Sequence, residues 1–397
     1  MNQPRTIENL VEFGKGEYFL EVNNNVGQRW YFPYKNIKGY LSIFRPSSLA
    51  GKIIRSTLPL TKHLAPVHSF LKMKRVRLCM LKEIEEKISH AINHKEWGYA
   101  IFCGSPGKHQ KATVLVRNKY KILGYCKISD NEEIIKIFKK EKDILDYLYN
   151  NNVDMIPKVL LCDKIDGKSD TWLYIQSTKE KQKICSPTIY SKEIYDFIED
   201  IGEKTGLNLN YEDTEYSIAI DSLKNSHLTL FDKISRYTLL RAINEVESKL
   251  KKGKNRYTFA HGDFTPWNCF VVDYKLFAFD FEYSQKTYPQ YYDLLHFFTQ
   301  SEIYDKSRNE EQIYEEYKEM KKRIFNRYIP IEECDFYYKC YLLGIIEFYL
   351  KRDNGALNNR IEHCFRIWIG LIDRIDNEEK INNQQTYQQN QRGGFLS

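Results

Sequence analysis

Acid is missing from Val22 to Leu81: no Asp or Glu occurs there, while eleven Lys and Arg do. The formal net charge is +7, so the remainder of the chain is net acidic. A one-sign block of this length suits an anionic partner, or a solvated basic face whose apolar side packs on the rest of the protein. Runs of 18 apolar residues are also missing. The longest candidate, Tyr341–Leu350, is short and carries Glu347, which argues against a membrane-crossing helix. CxxC pairs are missing too. The nine cysteines are odd in number and scattered, which excludes a zinc ribbon or a secreted disulfide framework and points to a reducing compartment. Met1 to Asn9 lack the apolar core of a signal peptide. The expectation is a cytoplasmic protein, with peripheral membrane attachment as the alternative. At 397 residues, 42% hydrophobic and 28% charged, the chain is long enough for two lobes plus an extension.

What is present is His261-Gly262-Asp263-Phe264-Thr265-Pro266-Trp267-Asn268, then an apolar run into Phe279-Asp280-Phe281-Glu282. Asn268 lies five residues after Asp263, and Asp280 twelve after Asn268. Phosphoryl transfer from a nucleoside triphosphate needs a carboxylate to orient and deprotonate the acceptor, and an Asn and an Asp to hold Mg²⁺ on the phosphates. The Asp263-to-Asn268 interval is that of the protein-kinase loop H-R-D-x-x-x-x-N. Cys269–Val272 and Leu276–Phe279 read as short strands around a turn at Asp273-Tyr274-Lys275, a hairpin that returns Asp280 toward Asn268.

At these residues the chain resembles the aminoglycoside phosphotransferases and choline-kinase-like small-molecule kinases. His-Gly-Asp followed by Asn268 looks like their catalytic loop, and Asp280-Phe281-Glu282 like their metal-binding segment. Gly262 stands where protein kinases carry Arg, and no Asp-Phe-Gly follows. The resemblance covers residues 97 to 375. It implies an α+β, protein-kinase-like bilobal fold: a small antiparallel-sheet N-lobe, a mainly helical C-lobe, and here an extra basic N-terminal extension. It further implies Asp263 as catalytic base, Mg²⁺ on Asn268 and Asp280 with Glu282 as a further ligand, and ATP or GTP as donor. His261 would shape the loop, and Asp293 would brace it.

The extension, residues 1 to 95, reads as a hairpin over Tyr18–Val22 and Arg29–Phe32, followed by helices. The first helix is capped by Ser47 or Ser48 and stopped by Pro59; the second spans Leu78 to His94, with Leu81, Ile84, Ile88 and Ile92 on one stripe. Strands at Tyr99–Cys103 and Ala112–Val116 flank a Gly-rich turn. In the family such a loop covers the phosphates, which makes Gly104 and Ser105 binding candidates; an ordinary hairpin fits equally. Lys127 sits in the strand Ile122–Ile128, and Glu141 in a helix from Asn131 to Tyr149. The resemblance gives Lys127 the α- and β-phosphates, and Glu141 the task of holding it by an ion pair. Lys111 is a second phosphate candidate. Strands at Ile156–Leu161 and Trp172–Gln176 complete a five-stranded sheet, and the crossing near Gln176 and Ser177 would meet the nucleobase through its main chain.

The expected divisions are the extension 1–95, an N-lobe 96–178, a helical C-lobe 179–377 and a polar, disordered tail 378–397. His296 reads as a core histidine with its hydrogen bonds satisfied. The acceptor is a hydroxyl of a small molecule or glycan, a sugar or lipid-linked glycan being favoured over an aminoglycoside or choline. Glu199, Asp200, Asp213 and Glu215 are the acids that would suit a cationic acceptor. A reading of another class is a catalytically silent, kinase-shaped protein that binds an anionic partner or membrane surface through residues 22–82. Nucleic acid is disfavoured, because no nucleic-acid-binding motif accompanies the charge.

Overall fold

Among the described residues, eight antiparallel strands, rather than five, build the sheet of the N-terminal half. The computed structural model describes residues 7–24, 27–44, 49–61, 73–104, 111–165, 170–181, 184–353, 355 and 358–393. The strands are β1 (Val11–Asn23), β2 (Arg29–Pro33), β3 (Met73–Met80), β4 (Gly98–Cys103), β5 (Ala112–Arg117), β6 (Ile122–Ser129), β7 (Val159–Lys164) and β8 (Trp172–Gln176). They lie in the order β3-β1-β2-β4-β5-β6-β8-β7. The extension is therefore continuous with the N-lobe sheet. Arg29, Trp30 and Tyr31 pair with Cys103, Phe102 and Ile101, so β2 covers the edge of β4 that would otherwise present unpaired backbone groups.

Both faces of this sheet are buried. Val114, Val116, Cys126, Ile128, Leu173 and Ile175 form one core with Leu78. Trp30, Phe32, Ala100 and Leu115 lie in the other. The apolar side of the basic block thus goes into the protein. Helix α1 (Leu49–Thr61) carries Pro59 inside it, beyond the stop expected there. The ring removes one backbone donor, yet the hydroxyls of Thr57 and Thr61 bond back to Ile53 and Thr57 at 2.9 and 3.1 Å and carry the last turn on. The expected caps Ser47 and Ser48 lie outside the described residues. Leu78 to Met80 are strand, not the start of a helix, because Leu78 and Met80 alternate inward and pair with β1. Helix α2 follows at Lys82–Ile92 and buries Ile84, Ile88 and Ile92. Helix α3 (Glu132–Asn150) begins where Asn131 accepts from Glu133 and Ile134.

The chain divides into two compact units: Met1–Cys185 with Phe270–Glu282, and Ser186–Cys269 with Tyr283–Ser397. The hairpin of Cys269–Val272 and Lys275–Ala278 turns through Asp273 and Tyr274, both at positive φ (51° and 58°). That is the two-residue turn whose twist matches paired strands. Asp280 and Glu282 thereby fall in the first unit, not in the expected 179–377 lobe.

The second unit is mainly helical: α4 (Lys192–Thr205), α5 (Glu215–Ser222), α6 (Lys233–Leu250), α7 (Tyr292–Gln300), α8 (Glu310–Arg323), α9 (Cys334–Arg352) and α10 (Asn359–Gly393). A three-stranded sheet joins them, with β10 (Asn255–Ala260) central between β9 (Leu207–Leu209) and β11 (Gln285–Pro289). Helix α9 is buried on all sides over Tyr338–Glu347. Helix α10 packs Ile361, Phe365, Trp368 and Ile372 inward, then continues across 378–393, where an unstructured tail was expected. Once a helix is nucleated by packing, adding Gln, Asn and Lys costs little.

Cys185 is exposed, Cys79 and Cys162 are partly covered, and the other six cysteines are buried. Burial pushes the Cys103 thiol up to about 12 and Cys162 up to about 11, so neither offers thiolate near neutrality. Titration with a chromogenic disulfide at pH 8 is expected to show one fast thiol, lost in Cys185→Ser. Three or more fast thiols would contradict this packing.

Candidate active site

Two clusters of functional side chains form, one in each unit. In the first, β6 presents Lys127 inward, only 7% of its side chain exposed. Its ammonium donates to Glu141 at 2.8 Å and to Asp280 Oδ1 at 2.7 Å. Glu141 is fully buried on α3, and its second oxygen accepts the Phe281 N–H at 3.3 Å. Burial pulls the Lys127 ammonium down, but Asp280, Glu141 and Glu282 outweigh it and hold it well above the usual lysine range. Burial raises the Glu141 carboxyl, against the lowering pull of Lys127. Asp280 has φ +72°, a conformation that costs a non-glycine residue roughly 1–3 kcal/mol and persists only where its surroundings hold it. Here the Lys127 bond holds it. Glu282 accepts from Lys111, which reaches it from beyond the Gly-rich turn.

Carboxylate oxygens of Glu141, Asp280 and Glu282 lie within 4.8 Å of one another. Hard oxygen donors of this kind suit Mg²⁺. Glu141 already serves Lys127, which leaves Asp280 and Glu282 as the donors that fit a metal best.

The second cluster is the loop of residues 261–268. Asp293, at the start of α7, accepts the N–H groups of His261 (2.7 Å) and Gly262 (3.1 Å). Burial raises its carboxyl, while His261 and the two N–H bonds oppose the rise. His261 is fully buried; its Nδ1 accepts from Asp263 N at 3.3 Å, and its carbonyl from the Ser284 hydroxyl at 3.0 Å. Gly262 has φ +81°, and a Cβ there would stand 2.5 Å from the Tyr283 carbonyl oxygen. Only glycine meets both conditions, which is why the protein-kinase Arg has no counterpart. The Asn268 amide nitrogen donates to the Asp263 carbonyl (2.9 Å) and to its Oδ2 (2.8 Å). This sets the Asp263 rotamer and leaves Asn268 Oδ1 as the oxygen available to a cation.

His296 departs from the expected satisfied histidine. It is buried between Tyr292 and Tyr341, and neither ring nitrogen makes a hydrogen bond among the described residues. Its Nε2 stands 3.5 Å from Asp263 Oδ1. The apolar helix around it concealed this in the sequence.

The remaining candidates fare differently. Gly104 bonds Lys111 across the turn, and a Cβ on it would make only ordinary contact at 3.6 Å. No close approach therefore requires glycine there, and Ser105 lies outside the described residues. Gln176 is buried, paired with Tyr125 and Val159. The Ser177 N–H, expected to meet a nucleobase, donates instead to the Lys158 carbonyl at 2.8 Å, and its hydroxyl accepts from Lys158 N. Sheet pairing runs one residue further than the apolar pattern indicates.

No protein-family model matches the chain, and no curated protein matches it. Solved structures do. A Haemophilus somnus 129PT protein assigned as a fructosamine-3-kinase aligns at 14% identity over 73% of this chain and 96% of its own, with a TM-score of 0.45. The aminoglycoside phosphotransferase APH(4)-Ia, as a thermostable mutant in apo form, aligns at 11% identity over 74% and 99%, with a TM-score of 0.48. APH(2")-IIIa, in its GDP and kanamycin complex, aligns at 12% identity over 76% and 99%, with a TM-score of 0.43. The chain is similar to small-molecule kinases of the kind that its catalytic-loop residues resemble.

Proposed function

We propose that the chain is a nucleotide-dependent phosphotransferase that moves the γ-phosphoryl group of ATP or GTP to a hydroxyl of a small molecule, a sugar or glycan being favoured. The observation that carries this is Lys127, a buried ammonium held by a helix carboxylate and by Asp280 together. A buried cation between two carboxylates is costly to assemble and contributes little net stability. It is well suited to meeting phosphate charge in a water-poor site.

Asp263 would orient the acceptor hydroxyl and take its proton on a carboxylate oxygen, with Asn268 fixing the rotamer. Asn268 Oδ1, Asp280 and Glu282 would hold Mg²⁺, which when bound neutralises charge on the phosphates. Lys127 would do the same from the protein side, and Glu282 would exchange Lys111 for the metal. Asp293 and His261 would keep the loop in shape without touching reactants. The acceptor step is positioning and electrostatics rather than covalent chemistry.

Thermal unfolding with ATP and Mg²⁺ tests the reading. Nucleotide at 100 times its Kd adds about 2.7 kcal/mol to stability, so Tm is expected to rise by several degrees with both present and by less with either alone. No shift with ATP or GTP at millimolar concentration would overturn the proposal.

A further inference from the structure

We propose that the acceptor is a saturated, sugar-like ring bearing an anionic group, carboxylate or phosphate, held on an aromatic wall beside Asp263 with Arg360 as its charged contact. This rests on the phosphotransferase reading above.

The wall starts in the loop itself. Trp267, next to Asn268, is 39% exposed, and its ring meets Tyr304 edge-on at 6.0 Å. The Arg360 guanidinium lies over the other partner ring, 4.7 Å from the Tyr304 centroid. Tyr304 is fixed by a 3.3 Å hydrogen bond to Cys364. Tyr349, its ring 5.3 Å from that of Trp368, belongs to the same helical unit; burial raises its phenol first, and the Asp263 charge raises it further. Aromatic faces of this kind accept the C–H face of a ring while its hydroxyls point to a base, and Trp267 keeps part of its ring exposed beside the catalytic loop.

Charge decides the substituent. A cationic acceptor would need free carboxylates at the wall. Of the four acids that suited one, Glu199 is exposed and lines a pocket with Phe197, Arg256 and Tyr291 rather than the wall, and the other three are engaged elsewhere. Asp200 pairs with Lys204 at 2.7 Å, Asp213 accepts from Asn210 at 3.0 Å, and Glu215 accepts from Thr287 N at 3.1 Å. Arg352, over Tyr349 at 4.3 Å, is neutralised by Asp353 through bonds of 3.0 and 3.1 Å. Arg360 differs: it is exposed and has no carboxylate partner among the described residues. An arginine whose plane is already fixed on an aromatic ring offers two parallel N–H groups to a carboxylate or phosphate.

Matched acceptors test this with the full chain and Mg·ATP: glucose, glucuronate, glucose 6-phosphate and glucosamine, read as ADP release and, separately, as quenching of Trp267 fluorescence against Trp267→Phe. The expected result is a kcat/KM about tenfold higher for an anionic sugar than for glucose, the scale of one charge-assisted contact. The glucuronate and phosphate arms tell the two anions apart. Arg360→Gln should bring the anionic-to-neutral ratio close to one through KM, and Arg360→Lys should restore part of it. A preference for glucosamine, or a ratio unchanged in Arg360→Gln, would overturn the inference. So would the absence of both turnover and Trp267 quenching with every anionic sugar while Mg·ATP still stabilises the protein. Loss of that stabilisation would instead remove the phosphotransferase reading.

Discussion

Asp263→Asn is expected to lower kcat by about a thousandfold, in the middle of the range for losing a positioned general base, with the affinity for Mg·ATP nearly unchanged. The substitution is almost isosteric. Its side-chain oxygen can still accept the Asn268 amide, which now donates to Asp263 Oδ2 at 2.8 Å, and its new amide nitrogen falls where Oδ1 stands, 3.5 Å from His296. The loop should keep its shape, because Asp293 holds it through His261 and Gly262 rather than through Asp263. What the variant loses is the ability to take a proton. The check is acceptor-dependent turnover beside calorimetric nucleotide binding. A loss of less than tenfold in kcat would remove Asp263 from the role of base.

The second large effect is on stability as well as activity. Lys127→Met leaves Glu141 fully buried without its cation and takes from Asp280 the bond that holds its left-handed backbone. Removing one partner of a buried pair costs about 3–5 kcal/mol, so Tm should fall by several degrees and nucleotide binding should weaken sharply. Lys127→Met with Glu141→Gln should recover part of the stability and none of the activity, since the stranded charge is gone but the phosphate contact is not restored.

The pH dependence has a definite sign. In the wild type the Lys127 pKa is raised on folding. Its contribution is complete below the ordinary lysine value and is lost only as pH climbs through the raised one, so it should not make stability vary with pH in the neutral range. In the variant the buried Glu141, already raised by burial, has no ammonium to oppose the rise. A carboxyl whose folded pKa is raised favours folding below its unfolded pKa, and that advantage is lost as pH rises. The variant's deficit should therefore shrink as pH falls toward 4.5, the ordinary glutamate value. A deficit that grows on acidification would mean that Glu141 is not the stranded charge.

The likeness to solved kinases adds little to these expectations; local intervals add much. Asp263, Asn268 and the hairpin after them were legible because their spacing and turn chemistry are short-range properties. The same holds for the helix expected from Asn131 to Tyr149, which is α3 with Glu141 on its buried face; that Asn131 caps it came from the structure. Failures came where a distant partner decides. Leu78–Met80 fits a helical stripe as well as a strand, and pairing with β1 settled it. Ser177 looked like a free crossing until Lys158 took its N–H. His296 looked like ordinary core because an apolar neighbourhood in sequence says nothing of which carboxylate lies 3.5 Å away in space.

By itself the sequence determined the chemistry on offer: which carboxylates, which amide and which lysine, at intervals that a loop, a tight hairpin and a capped helix impose through local sterics and hydrogen bonding. Tertiary structure decided how those groups are spent. It joined the basic extension to the sheet, gave Lys127 two carboxylates, gave Glu282 a lysine and left Arg360 with no carboxylate among the described residues. Strand pairing and ion pairing are settled by which surfaces exclude water together, and that depends on residues far apart in the chain.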